Sequence, residues 1–203
     1  VDGNMKRVRW TLSGNQNVNA QGVAVEGKKG ITLDNFALRA TSGTHLQHLS
    51  ADYLKQLAQV RPYDLIILHY GLNVASKNQL NYEYYVTGMS KVVSRLKECF
   101  PTTSILIVGV GDRETRIKGE LHTMKGVLAL MQYQQQLAAL NEVAFWNLYE
   151  AMGGDGSIVK LSETKPAQAR KDYTHITHEG GHTRATYFYD ALMAGYDKHL
   201  SEQ

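Results

Sequence analysis

The sequence predicts an α/β fold of three layers, a parallel sheet with helices on both faces, preceded by a β-rich N-terminal segment. Two patterns predict it. From about residue 64 onward, short continuous apolar runs alternate with stretches whose apolar residues recur every three or four positions. A run that is apolar throughout fits a strand covered on both faces, and the helices between such runs are the covers. The first 44 residues differ: strand-like runs are joined by turns rich in Gly and Asn, with no helical pattern between them.

Taken in order, residues 8–12, 22–26 and 31–38 read as strands. The change of texture near residue 30 divides the chain into a β-rich segment, 1–29, and an α/β domain, 30–203. Leu46, Leu49 and Leu57 suggest a helix. Residues 64–70 read as a buried strand that ends in Gly71. Tyr82, Tyr85, Met89, Val92 and Leu96 then mark one stripe of a helix, which must stop before Pro101 because proline lacks the N–H that a helix interior needs. Residues 104–110 form the next strand, Met124, Val127, Leu128, Met131 and Ala138 the next helix, and 143–148 another strand. Thr177 reads as the N-cap of a closing helix whose first turn holds Gly180 and Gly181. Its apolar face carries Ala185, Phe188, Tyr189, Leu192, Met193, Tyr196 and Leu200.

Composition narrows the function classes. With 203 residues, 43% hydrophobic and 20% charged, the chain can bury one core. Its net charge of +3 comes from scattered Lys and Arg with no run of like charge, so neither a nucleic-acid footprint nor a membrane-surface footprint is present. No apolar run is long enough to span a bilayer, and no signal peptide is visible. The single cysteine, Cys99, has no partner for an internal disulfide and reads as a small core residue. The chain begins Val1-Asp2-Gly3 without an initiator Met, as a processed or excised piece would.

Open parallel sheets bind ligands beyond the carboxyl ends of their strands, so the residues after each strand are the candidates. They are Arg39-Ala40-Thr41-Ser42-Gly43, Gly71-Leu72-Asn73 and Gly109-Val110-Gly111-Asp112-Arg113, joined by Asp172-Tyr173-Thr174-His175 before the last helix. In this combination and order the sequence resembles the SGNH (GDSL-like) hydrolases. Their four blocks supply a Ser, a Gly, an Asn and an Asp-x-x-His, and Gly43, Asn73, Asp172 and His175 match the last three. The resemblance covers about residues 30–200 and is nearest to the peptidoglycan O-acetylesterase and carbohydrate-esterase branch. Phe145-Trp146-Asn147-Leu148-Tyr149-Glu150-Ala151-Met152-Gly153-Gly154 and Lys171-Asp172-Tyr173-Thr174-His175 carry that likeness.

The resemblance implies a flavodoxin-like sheet, a serine esterase that removes acetyl groups from a cell-wall or other glycan, no cofactor and no metal, and a periplasmic, cell-envelope or secreted location. It also implies that the β-rich start is the tail of an inserted β-sandwich. By the same resemblance the Gly43 N–H and the Asn73 side-chain amide form the oxyanion hole, His175 is the general base and Asp172 its orienting partner. Those residue types suit the reaction: glycine lets substrate approach the backbone, Asn donates without titrating, and an Asp–His pair passes a proton. Arg113 is a candidate for binding a carboxylate of the substrate, such as a lactyl or uronate group, with a pairing to Asp112 as its other reading.

The chain departs from the family at the first block, because it has no Gly-Asp-Ser and no apolar strand leading into one. Ser13 reads as a turn residue and Ser42 as a local hydrogen-bonding residue. The nucleophile is therefore expected on an upstream segment of the same protein, and the isolated chain is expected to be inactive. Three other readings remain open at this point. His175, His178 and His182 with Asp172 could hold a metal, Gly109-Val110-Gly111 could be a fragment of a phosphate loop, and the whole could be a non-catalytic carbohydrate-binding or interaction module.

Overall fold

The computed structural model describes residues 7–14, 23–27 and 29–202. The chain divides into two compact units, Val1–Ala37 and Leu38–Gln203. In the first, the strand-like runs are a correction: neither 8–12, 23–26 nor the 31–37 part of the third run forms a strand. Trp10, Leu12, Ile31 and Leu33 are exposed there. A β-prone run becomes a strand only where a second backbone meets its N–H and C=O groups, and propensity alone does not supply that partner. Gly22 lies outside the described residues.

The second unit is the expected three-layer α/β/α fold. Its sheet holds β1 (Leu65–Leu68), β2 (Ser104–Val108) and β5 (Ala144–Trp146) in the order β1-β2-β5. All pairs are parallel, with Leu68 opposite Ile107 and Val108 opposite Trp146. Successive residues of β2 go to opposite layers. Ile105 and Ile107 join Leu68 in a core built with α2 (Glu83–Cys99) and α3 (Lys125–Leu140). Leu106 and Val108 join Leu148, Ile158 and Phe188 in a second core, built with α4 (Leu148–Ala151), α5 (Ser157–Glu163) and α6 (His178–Ser201). This alternation explains why the run is apolar throughout.

Local signals set the helix ends. The Asn81 side chain accepts from the Glu83 N–H at the start of α2, and the helix gives out at Phe100, just before Pro101. Thr177 caps α6, its hydroxyl accepting from the Gly180 N–H at 3.2 Å. The helix expected around Leu46 to Leu57 is split into a 3-10 turn, Thr44–His48, and α1 (Ala51–Val60). Leu49 is extended between them and Ser50 caps the second piece, because a serine side chain competes for the backbone N–H groups of a new first turn. Cys99 is buried beside Leu54 and Phe100 under α1.

Between β2 and α3 lies an antiparallel hairpin, β3 (Glu114–Ile117) and β4 (Glu120–Thr123). Lys118 and Gly119 make its turn at φ 51° and 92°, the left-handed pair that a two-residue hairpin requires. Two surfaces of the second unit stay uncovered. Among the described residues β1 pairs with β2 alone, leaving Ile67 at the free edge. The face of α6 that holds Tyr189, Leu192, Tyr196 and Leu200 is also exposed.

Candidate active site

The Asn73 side chain ties its turn to the loop that carries Gly43. Gly43 is buried at φ 87°, the left-handed region where a side chain is strained, and a Cβ there would lie 2.6 Å from Cγ of Tyr70. Its carbonyl accepts from the Leu46 N–H to open the 3-10 turn, while its own N–H donates to no group among the described residues. The Asn73 side-chain amide donates to the Thr41 carbonyl at 3.2 Å, two residues before Gly43. An amide NH2 has two hydrogens, so one remains for a ligand.

The turn that carries Asn73 follows β1 directly and is tightly made. The Gly71 carbonyl accepts from Val74 N–H at 2.7 Å and Ala75 N–H at 3.2 Å. The Arg113 guanidinium reaches across from the loop after β2 and donates to the carbonyls of Leu72 and Ala75 at 3.5 and 3.4 Å. It acts as a clamp on this turn. The alternative pairing of Arg113 with Asp112 is corrected by the geometry. Asp112 is 1% exposed and faces the other way, accepting from the Thr123 hydroxyl at 2.8 Å and from the Ile158 N–H at 3.0 Å. It thereby satisfies an orphan donor at the first turn of α5, where Gly156 offers no side-chain cap.

Asp172 and His175 form the pair that their spacing suggests. The His175 ring meets Asp172 through Nδ1 and Oδ2 at 2.9 Å, while Oδ1 of Asp172 accepts from the backbone N–H groups of Thr174 and His175. Those bonds favour the charged carboxylate, the His175 N–H most of all, and lower the Asp172 pKa to about 2 against the opposing cost of burial. With Nδ1 held on a carboxylate, Nε2 is left as the working nitrogen. The turn needs Tyr173 at φ 52°, and it is braced on both sides. Ala169 bridges Ile176, and Tyr173 C=O accepts from the Glu114 N–H at 3.1 Å.

Arg113 and Glu114 therefore join the two halves, since adjacent residues of one loop hold the Asn73 turn and the Asp172 turn. Glu114 itself is buried and shares the Thr123 hydroxyl with Asp112, while its Oε2 has no partner. Burial, and secondarily the charge of Asp112, raise its pKa. Its role has no counterpart in the sequence reading.

Neither serine weighed from the sequence hydrogen-bonds the His175 ring. The Ser42 hydroxyl pairs with Thr44 at 2.7 Å, Ser13 is exposed in the other unit, and among the described residues no hydroxyl hydrogen-bonds the His175 ring. His178 and His182 lie on α6, and no group of three His, Cys, Asp or Glu among the described residues is arranged to hold a metal ion. No described helix is long and apolar enough to cross a membrane. An open groove lined by Gln47, His48, Ser90 and Arg95 contains none of the candidate residues.

The structure thus holds a parallel sheet with helices on both faces, an Asn73 turn tied to the loop of Gly43, and a hydrogen-bonded Asp172–His175 pair. No family model matches the sequence, and no curated protein matches it. Among solved structures it is similar to a peptidoglycan O-acetylesterase, 25% identical with a TM-score of 0.65 over 76% of this chain and 44% of that one. This chain thus spans less than half the length of that esterase. A carbohydrate acetylesterase from Sinorhizobium meliloti is 20% identical (TM-score 0.47, 71% of this chain and 67% of that one). A GDSL-like lipase from Bacteroides thetaiotaomicron is 18% identical (TM-score 0.46, 73% of each chain). Its fold is that of the SGNH (GDSL-like) hydrolases, and the likeness to the peptidoglycan O-acetylesterase supports an assignment to that family.

Proposed function

We propose that this chain supplies the acid/base pair and the oxyanion hole of a serine esterase that removes acetyl groups from a cell-wall or other glycan. The observation that carries the reading is the Asp172–His175 pair, whose carboxylate holds Nδ1 and leaves Nε2 to a substrate-side hydroxyl. In this reading Nε2 takes the proton of a serine hydroxyl as its oxygen attacks the ester carbonyl. The Gly43 N–H and the free hydrogen of the Asn73 amide meet the oxyanion of the tetrahedral intermediate, which collapses as His175 returns the proton to the leaving alcohol. Water then repeats the sequence on the acyl-enzyme and releases acetate.

The serine comes, in this proposal, from an upstream segment of the same protein. The free edge of β1 supports it, because a strand added there ends at the same edge of the sheet as Gly71 and Asn73. Residues 1–29 are then the tail of a β-sandwich inserted between the serine block and the rest of the hydrolase domain, 30–203. Arg113 keeps a substrate-binding role through the guanidinium donors that Leu72 and Ala75 leave unused. The likeness to a peptidoglycan esterase supports action in the envelope or outside the cell. The test is hydrolysis of p-nitrophenyl acetate by the full-length gene product, with and without a serine-reactive phosphonate. Turnover that the phosphonate and His175→Ala both abolish is expected. Glycan binding with no turnover would favour a non-catalytic carbohydrate-binding module, the reading that the hydroxyl-free His175 ring supports.

A further inference from the structure

We propose that Gln134 is a positioning residue for the oxyanion turn, a role that rests on the esterase reading for its catalytic consequence but not for its geometry. Gln134 lies on the buried face of α3, 1% exposed, in line with Leu130, Leu137 and Ala138. A glutamine on an apolar stripe needs both ends of its amide satisfied. Here its Nε2 donates to the Tyr70 carbonyl at 2.7 Å and its Oε1 accepts from the Val110 N–H at 2.9 Å.

Those two backbone groups belong to neighbouring strands that have just parted. The β1–β2 ladder ends at Leu68 opposite Ile107, and beyond it the chains turn away to form the loops of the site. The Gln134 amide takes the place of a peptide group as one more rung between them. Its effect is local to the catalytic side, because the Tyr70 carbonyl is the peptide that enters Gly71. Gly71 stands at φ 121°, and a Cβ there would fall 2.7 Å from Nε2 of Gln134 and 3.0 Å from Cγ1 of Val110. The glycine therefore admits the amide, and the amide sets the plane from which Gly71 builds the turn. Gln134 holds the entry to that turn and Arg113 its two later carbonyls, so Asn73 is carried by a loop clamped on both sides.

Gln134→Leu removes both the donor to Tyr70 and the acceptor for Val110, and Gln134→Met is the second variant, apolar and similar in volume. In the 203-residue chain, amide exchange at Val74 and Ala75 is expected to accelerate by about tenfold or more. The Asn73 side-chain NH2 signals should shift or broaden, while exchange within α2 stays as in the parent. In the full-length gene product the same variants should lower kcat by about tenfold with KM within about twofold, and adding Asn73→Ala should cost less than it does alone. Unchanged exchange at Val74 and Ala75 and unchanged Asn73 signals, in either variant that folds, would overturn the proposal. Loss of turn order in the variants, with no acetyl-ester hydrolysis by the full-length parent, would instead retain the positioning role and sink the esterase reading.

Discussion

Asp172 occupies a place where a carboxylate stays charged at low pH. Because its folded pKa is below the ordinary value of 3.8, the stability it contributes is present above that value and is lost as pH falls toward about 2. The side chain is about half exposed, so the energetic effect is small and the pair is better read by its titration. A carboxyl carbon titration of Asp172 should give a midpoint near 2, and a midpoint near 4 would show that the turn does not hold. Asp172→Asn keeps an acceptor for the Thr174 and His175 N–H groups but loses the charge that fixes the imidazole. It should lower kcat of the full-length gene product by a factor on the order of 10³ to 10⁴. Glu114 has the opposite sign. Its pKa is raised, so its contribution is whole below the ordinary value and falls as pH rises through the folded value. Glu114→Gln should remove that fall, so urea melts should show the variant losing less stability between pH 4 and pH 7 than the parent does.

At the scale of elements, the buried parallel strands were legible because each apolar run is covered twice. The helices α2, α3 and α6 were legible from their stripes, and α6 also from the Thr177 cap. The hairpin was not read, although Glu114-Thr115-Arg116-Ile117 and Glu120-Leu121-His122-Thr123 flank a Lys-Gly turn, because its strands lack a fully apolar run. Gln134 escaped for a related reason: a polar residue inside a stripe reads as a flaw until its two backbone partners are known. The N-terminal runs failed because pairing is non-local. The Asp172 turn and the first turn of α6 meet at Gly180, where a Cβ would lie 1.8 Å from the Gln168 carbonyl oxygen. Gly180→Ala should cost about 1 to 3 kcal/mol and accelerate amide exchange across 168–177. A variant as stable as the parent would show that helix and turn are not in close contact.

At the scale of the molecule, the second unit carries an unpaired strand edge and an outward apolar helix face, both costly in isolation. The 203-residue chain should show no acetyl-ester hydrolysis, and extending it upstream in its gene should confer it. Equal activity from the two proteins would place the nucleophile within residues 1–203. The loop after β2 has a consequence of another kind. Arg113 grips one turn through its side chain and Glu114 the other through its backbone N–H, so the spacing of the two proposed catalytic turns depends on this loop. Such a loop is a gauge block, and its length is fixed even where its side chains are free to change. Adding or deleting one residue between Val110 and Glu114 would move the Asp172–His175 pair against the Asn73 turn by about 3 Å, so this short stretch should tolerate substitution far better than any change of length.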